Sequence, residues 1–303
     1  MTAPPPPRHP EARLIHRGVG RVEFFDLGPD QIVELERILA GLRAEGRPRY
    51  SFHAPVVRPD YFPYNGVCCF FLCEDEAKQE LSFRVLAHTL EMARAWRADY
   101  AVCHLTFGPT DSRDPATARD LAEAACVRFA ALSRKSGVPI DVEFAAYTDS
   151  FHQPDLFVEA VARHPELGVC IDIGHTYLGA LRRDRPYLED IAVLAPHARS
   201  MHLWNTTGPE CHAKHHHVPL HPAQHSRDGW IDVPATLEAV LGYNPDVHLV
   251  CEYPVESVTP SIQEGYDWIE SLAAALRRGT PRRNPAAALS SDKEAEPTGE
   301  RSP

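Results

Sequence analysis

The chain has 303 residues, of which 44% are hydrophobic, and it carries a formal net charge of −11. This length can bury one substantial core and fits a single α/β barrel, which commonly runs to about 250 residues. The acidic balance argues against nucleic acid or an anionic membrane surface as a partner, because binding to either needs clustered Lys and Arg.

The sequence shows no clear membrane or secretory signal and no cysteine pattern typical of disulfides or zinc fingers. The sequence contains no apolar run of about 18 residues, which a membrane span would need, and residues 1–8 lack the apolar segment of a secretory signal. The eight cysteines form no Cys-x-x-Cys pair, so buried, reduced thiols are favoured over disulfides or a zinc finger. We therefore expect a cytoplasmic protein.

The ends of the chain differ in composition from its middle. Residues 1–12 are rich in Pro, and residues 279–303 are rich in Pro, Ser and charged residues, which predicts disorder at both ends. Residues 13–278 should form the folded domain. Its predicted strands are 22–26, 50–53, 100–105, 140–144, 168–174, 200–204 and 247–252. Its predicted helices are 31–45, 76–97, 115–136, 155–163, 187–194, 234–241 and 266–277.

Strands that alternate with helices pair in parallel through right-handed crossovers. The chain has no Gly-rich phosphate-binding motif, which favours a closed (β/α) TIM barrel, in the α/β class, over an open doubly wound sheet. An eighth strand could be Arg13–His16 at the start or His217–Leu220 near the end. The alternative is a barrel with a shortened first unit.

Metal-competent side chains recur where the predicted strands end. They are His53, His104, Glu143, Asp172 with the nearby His175, His202 and Glu252. In a parallel barrel these strand ends form one rim, where active sites are built. One such residue alone could be a satisfied histidine or a helix cap. Their recurrence predicts a shared metal, because clustered carboxylates and imidazoles are poorly stabilised without a cation. Zn, Mn, Co or Fe suits this mixture better than Ca.

A histidine-rich segment spans residues 211–221. His215 and His217 are two residues apart and would point the same way if the segment were extended, so they are the preferred ligand pair. The weaker candidates are His212, His216, His221 and His225.

Seven different short motifs follow one another along the chain. They are His-Ala-Pro at 53–55, Val-Cys-His at 102–104, Val-Glu at 142–143, Asp-Ile-Gly-His at 172–175, His-Leu-Trp-Asn at 202–205, Gly-Trp-Ile-Asp at 229–232 and Cys-Glu-Tyr at 251–253. Together they resemble the xylose isomerase-like TIM barrels, a superfamily that includes endonuclease IV-type AP endonucleases and many sugar isomerases and epimerases.

The resemblance implies one to three divalent metals per chain. The ligands of the first would be Glu143, Asp172, His202 and Glu252. A second metal would add His53 and His104, with Glu143 bridging. A third would use His175 with the pair at 215 and 217. This chain departs from the endonuclease pattern there, because His215 stands where that branch has Asp.

The first function that the resemblance implies is an isomerase or epimerase acting on a sugar, polyol or related hydroxy-carbonyl compound. Glu143 and Glu252 would move protons to and from carbon, and His175 would bind a substrate oxygen. The alternatives are an endonuclease IV-like phosphodiester or phosphate hydrolase, a multinuclear iron oxidase, and a metal-binding barrel without activity. The acidity of the chain and the lack of a groove rich in Lys and Arg speak against duplex DNA as the substrate, and a homo-oligomer is left open.

Specificity is expected to come from the loops at the rim, since one barrel fold hosts many chemistries. The relevant loops are residues 56–76, 108–114 and 206–228. Tyr64, Trp204 and Trp230 are candidate apolar walls of the substrate pocket.

Overall fold

The computed structural model describes residues 15–46, 49–146 and 148–279. The strands in these ranges are β1 (Val22–Phe24), β2 (Tyr50–His53), β3 (Ala101–His104), β4 (Ile140–Phe144), β5 (Leu167–Asp172), β6 (Ala198–Leu203) and β7 (His248–Cys251). The α-helices are α1 (Ile32–Ala44), α2 (Glu76–Trp96), α3 (Pro115–Ser136), α4 (Pro154–Ala162), α5 (Ile173–Arg182), α6 (Tyr187–Leu194), α7 (Pro209–His215), α8 (Val233–Leu241) and α9 (Pro260–Gly279).

The strands form one sheet in the order of the chain, β1 to β7, and every neighbouring pair is parallel. β1 and β7 lie side by side, so the sheet closes almost completely into a barrel with helices around it. The predicted α/β TIM barrel is confirmed. All carboxyl ends of the strands therefore meet at one rim, which is where the predicted ligands stand.

Neither candidate for an eighth strand forms one among the described residues. Ile15 and His16 lie outside any strand, and Arg13 and Leu14 lie outside the described residues. Val218 makes only an isolated antiparallel bridge with Asn205. The predicted disordered segment 1–12 and the predicted tail also lie outside the described residues, except for Gly279 at the end of α9.

Local sequence signals place most helix starts. Asp75 and Asp114 cap α2 and α3 by accepting backbone N–H groups of the first turn. α5 was not expected, because the apolar run 168–174 extends the predicted strand through Gly174. β5 instead ends at Asp172, whose side chain accepts the backbone N–H of His175 and begins α5.

The barrel interior carries polar side chains beside an apolar group formed by Tyr100, Val102 and Cys170. Residues that alternate along the strands point inwards and are buried, among them Glu23, Ser51, Asp141 and Ser200. Asp141 is paired with Arg199 and accepts the Ser200 hydroxyl at 2.7 Å. Buried charges need such partners, and Arg199 and Ser200 supply them for the Asp141 carboxylate. None of the helices in the described ranges is long and apolar enough to cross a membrane.

Candidate metal centre

Glu143 stands at the centre of the rim. Its Oε2 atom lies 3.0 Å from Nε2 of His53 and 3.0 Å from Nε2 of His104. The same oxygen lies 3.4 Å from Nδ1 of His202 on the opposite side. The register explains these contacts, because His104 on β3 pairs directly with Glu143 on β4. Glu143 therefore joins two groups of metal-competent side chains.

Those two groups are compact. His53, His104 and Glu143 form the first, and Glu143, Asp172 and His202 form the second; within each group the candidate ligand atoms all lie within 4.8 Å of one another. In the second group Asp172 and His202 are register partners on β5 and β6. Two groups that share one carboxylate could together bind one or two cations.

Glu252 completes the second group. It follows β7, and its Oε2 lies 3.3 Å from Nδ1 of His202. Its side chain keeps 35% of its surface exposed, whereas that of Glu143 keeps only 1%. Glu252 is therefore the carboxylate of this group that a small molecule at the rim can reach.

The electrostatics of the site follow from crowding acids and imidazoles together. Burial opposes ionisation of Glu143, but His104 and His202 outweigh it and hold the pKa of that carboxyl well below its usual range. Burial and the neighbouring Glu252 raise the pKa of Asp172 well above its usual range. Asp172 therefore favours its protonated form in the crowded site. A divalent cation would displace that proton, because carboxylate ligands bind a metal in their deprotonated form.

Unsatisfied atoms support the same interpretation. Oε1 of Glu143 and Oε2 of Glu252 are buried and have no hydrogen-bond partner among the described residues. Buried acceptors without donors are costly. A cation would compensate both, and the mixture of imidazole nitrogen and carboxylate oxygen suits a transition metal or zinc. The residues present therefore fit a divalent metal.

Trp204 holds Asp172 in place. The indole N–H lies 2.8 Å and 3.0 Å from the two carboxylate oxygens of Asp172. Gly174 leaves the space for this ring, since a Cβ at that position would stand 2.2 Å from the indole. Trp204 is buried, so it supports a ligand and is not itself an exposed wall of the pocket. Trp230 is half-buried, and Tyr64 is exposed and packs on Phe62 and Phe70.

The histidine-rich segment is not extended up to His215, because residues 209–215 form α7. His215 is exposed on that helix and is not brought to the rim with His217. The ring of His217 stacks on Trp204 at a centroid distance of 4.0 Å and lies 5.5 Å from the ring of His175. His212, one helical turn before His216, takes the position expected of His215, with its ring 5.8 Å from that of His217. The assumption of an extended segment was wrong here.

The remaining histidines of this region are peripheral. His221 is paired with Glu264, 3.3 Å away, and His216 and His225 are exposed.

His175 is buried against Trp204, with its Nε2 3.9 Å from Asp172. Burial lowers the pKa of His175 to about 3, so its imidazole is neutral near pH 7.

Glu23 on β1 was missed by the sequence reasoning. Its Oε1 lies 2.8 Å from Nε2 of His202, and its other oxygen accepts the Ser51 hydroxyl at 2.7 Å. Alternation along the strands could have found it. His53 points inwards, so Ser51 does as well, and the parallel register places Glu23 beside Ser51.

The loop 108–114 offers a stability test. Asp111 accepts the backbone N–H groups of Phe107 and Gly108, yet burial raises its pKa from 3.8 to about 6. A raised carboxyl pKa stabilises the fold fully below pH 3.8 and loses that contribution as the pH rises through about 6. We expect Asp111→Asn to gain stability relative to the parent over this interval, by at most about 3 kcal/mol. Urea unfolding of both proteins at pH 4, 5, 6 and 7 measures the difference.

Asp114→Asn is the matched control. Asp114 is an exposed helix cap whose pKa is lowered by the backbone N–H of Thr117. Its contribution is present above the ordinary pKa and is lost as the pH falls, so the sign of the pH dependence is opposite. Parallel stability curves for the parent and Asp111→Asn would contradict the assignment to Asp111.

Comparison with known proteins gives a family and a set of folds. The sequence profile for the xylose isomerase-like TIM barrel matches residues 15–273. No functionally curated protein matches the chain. Among solved structures, a D-tagatose 3-epimerase-like protein is 15% identical with a TM-score of 0.58, covering 82% of this chain and 84% of its own.

Two further structures have the same fold. The 3-keto-D-glucoside 4-epimerase from E. coli in its apo form is 12% identical with a TM-score of 0.56, covering 82% of this chain and 89% of its own. The IOLI protein with a bound zinc atom is 15% identical with a TM-score of 0.53, covering 83% and 85%. At these identities the likeness shows the fold and leaves the reaction open.

Proposed function

Because the chain belongs to the xylose isomerase-like TIM barrel family, we propose that it is a metal-dependent isomerase or epimerase acting on a sugar, polyol or related hydroxy-carbonyl compound. The observation that carries this proposal is the shared cluster of Glu143, Asp172 and His202, with Glu252 beside it at the accessible edge. Two of the solved structures with this fold are named as epimerase or epimerase-like, which supports a small carbohydrate-like substrate.

The metal ligands in this proposal are Glu143, Asp172, His202 and Glu252. When bound, a divalent cation supplies a Lewis acid that polarises a substrate carbonyl and makes the neighbouring C–H bond more acidic. His53 and His104 contact the same Glu143 oxygen and would hold that carboxylate in position, or bind a second cation. His175 completes the rim as a neutral imidazole that binds a substrate oxygen.

Proton transfer is assigned to the two glutamates. Glu252 is the exposed one, and His202 outweighs its burial and lowers its pKa below the usual range, so it is ionised and able to accept a proton. It would remove the proton from carbon, and the electron pair of that C–H bond would move onto the adjacent carbonyl oxygen. Glu143, on the other side of His202, would pass to carbon a proton supplied by His53, whose Nε2 lies 3.0 Å from its Oε2, and the proton taken up by Glu252 would return to His53 through solvent. The substrate gains and loses one proton, so no oxidant is needed.

Hydrogen exchange tests the proposal. Protein loaded with Mn or Co is incubated with a panel of ketoses and inososes in deuterated water, and the recovered compounds are examined by NMR and mass spectrometry. We expect deuterium at a carbon next to a carbonyl, with metal-free protein as the inactive control. No incorporation into any compound of the panel by metal-loaded protein would contradict the proposal.

A phosphodiester or phosphate hydrolase is the second candidate, and one observation favours it. His53, His104 and Glu143 form a separate group that shares Glu143 with the first, which is a layout for two cations. Paired cations activate water and stabilise a leaving phosphate oxygen. Metal analysis of the natively purified protein separates the candidates: one metal per chain favours the isomerase, and two or three favour the hydrolase or the oxidase. Nicking of a duplex with an abasic site would decide for the hydrolase, and iron in the preparation would favour the oxidase.

A further inference from the structure

His202 lies between two sets of acidic groups. Its Nδ1 faces Glu143, Glu252 and Asp172 at 3.4, 3.3 and 4.0 Å. Its Nε2 faces the opposite way and lies 2.8 Å from Oε1 of Glu23. The ring is fully buried, so water cannot replace either contact. Only one of its nitrogens can bind a metal that also contacts the other carboxylates, and the geometry selects Nδ1.

The contact with Glu23 is a short contact between a ring nitrogen and a carboxylate oxygen. Nε2 of His202 has no aligned hydrogen bond among the described residues, although the Glu23 oxygen is only 2.8 Å away. A carboxylate at that distance still favours a proton on the facing nitrogen, because the attraction depends chiefly on distance in a buried site. With the proton on Nε2, the lone pair of the imidazole remains on Nδ1. Glu23 therefore decides which tautomer faces the metal ligands.

Glu23 is itself held in place. Its side chain is 8% exposed, and its second oxygen accepts the Ser51 hydroxyl at 2.7 Å. Both residues lie on strands, β1 and β2, and are register partners. A carboxylate fixed on rigid strands can orient a ligand more accurately than one on a loop.

We propose that Glu23 is a positioning residue that holds the proton of His202 on Nε2 and so leaves Nδ1 free to bind the metal. This inference rests on the proposed metal-dependent function. Carboxylates that orient metal-binding histidines typically change metal affinity by about ten- to a hundredfold. Glu23 would be the carboxylate that orients the metal-binding histidine, and Ser51 would in turn hold Glu23.

The test measures zinc binding and does not need turnover. Metal-free parent and Glu23→Gln proteins are titrated with Zn²⁺ in competition with a chelator at pH 7. We expect Glu23→Gln to bind zinc about ten- to a hundredfold more weakly, because the amide keeps the shape but loses the charge. Glu166→Gln is the matched control, since Glu166 lies before β5 and pairs with Arg134; its zinc affinity should equal that of the parent.

Two further readouts separate positioning from a general structural role. The ¹⁵N resonances of the His202 ring in the zinc-loaded parent should show a protonated Nε2 and a metal-bound Nδ1. Ser51→Ala leaves the charge of Glu23 intact and should weaken zinc binding less than Glu23→Gln does. If Glu23 only supported the fold, Glu23→Gln would lower the free energy of unfolding of the metal-free protein and leave zinc affinity unchanged.

The outcomes are distinguishable. A Glu23→Gln protein that folds and binds zinc within about twofold of the parent, or a parent with zinc on Nε2, would overturn the role of Glu23 even if the parent catalyses hydrogen exchange. A parent that binds zinc in a Glu23-dependent way but exchanges no hydrogen would support Glu23 and contradict the proposed reaction. A parent that binds no zinc would overturn both.

Discussion

Glu143→Gln is expected to weaken the binding of divalent metal by at least about a hundredfold. This loss of affinity exceeds the one expected for a residue that only orients a metal ligand. Glu143 is the one carboxylate that both compact groups contain, so its replacement removes a ligand from either possible site. The amide is nearly isosteric but carries no charge, and it would face His53 and His104 with weaker attraction. Titration of the metal-free protein with Mn²⁺ or Zn²⁺ measures the affinity, and metal analysis gives the number bound.

The same variant distinguishes the two proposed functions. If a single cation is bound by Glu143, Asp172 and His202, Glu143→Gln should reduce the metal content from one to nearly none. If a second cation is bound with His53 and His104, both should be lost together. Glu166→Gln serves again as the control for a change from acid to amide on a strand-flanking residue. Metal affinity within about twofold of the parent would remove Glu143 from the ligand set.

Glu252→Gln is expected to lower the rate of hydrogen exchange at carbon by about 10²- to 10⁴-fold, the usual contribution of a positioned acid or base. Glu252 is the accessible carboxylate of the cluster, and an amide cannot accept the proton. The variant should be assayed at saturating Mn²⁺, so that a weaker metal affinity does not reduce the rate on its own. The readout is deuterium incorporation into the active compound of the panel.

The control for Glu252 lies in the same loop. Glu256 is exposed, so Glu256→Gln changes the same charge near the rim without touching the cluster and should exchange at the rate of the parent. A Glu252→Gln protein that exchanges within about threefold of the parent at saturating metal would show that another group carries the proton.

Most of the fold was predictable because its signals are local. Strand-like runs of β-branched and aromatic residues, helical stripes and Asp caps are properties of a few neighbouring residues. They gave the seven strands and the parallel order that the structure confirms. They failed at α5, because the apolar run through Gly174 looks the same in a strand or a helix. Only the side chain of Asp172, which accepts the N–H of His175, ends the strand there.

The candidate site was predictable to the extent that it depends on strand ends. His53, His104, Glu143, Asp172 and His202 come together because parallel strands of a barrel end at a common rim. The assignment of His215 depended on the conformation of a loop, and α7 changes which histidine faces Trp204. Loop conformation depends on contacts between residues distant in sequence, such as the bridge between Asn205 and Val218.

The sequence by itself determined the barrel, the rim and the types of residue that lie on it. The alternation of strands and helices, and the period of two along each strand, depend only on residues that are neighbours in the sequence. Only the tertiary structure decided how those residues are shared: that Glu143 belongs to both groups, that Trp204 holds Asp172, and that Glu23 stands behind His202. The physical reason is that these contacts depend on strand register and side-chain packing across the barrel. Both are settled by the closure of the whole sheet and by no local stretch of the chain.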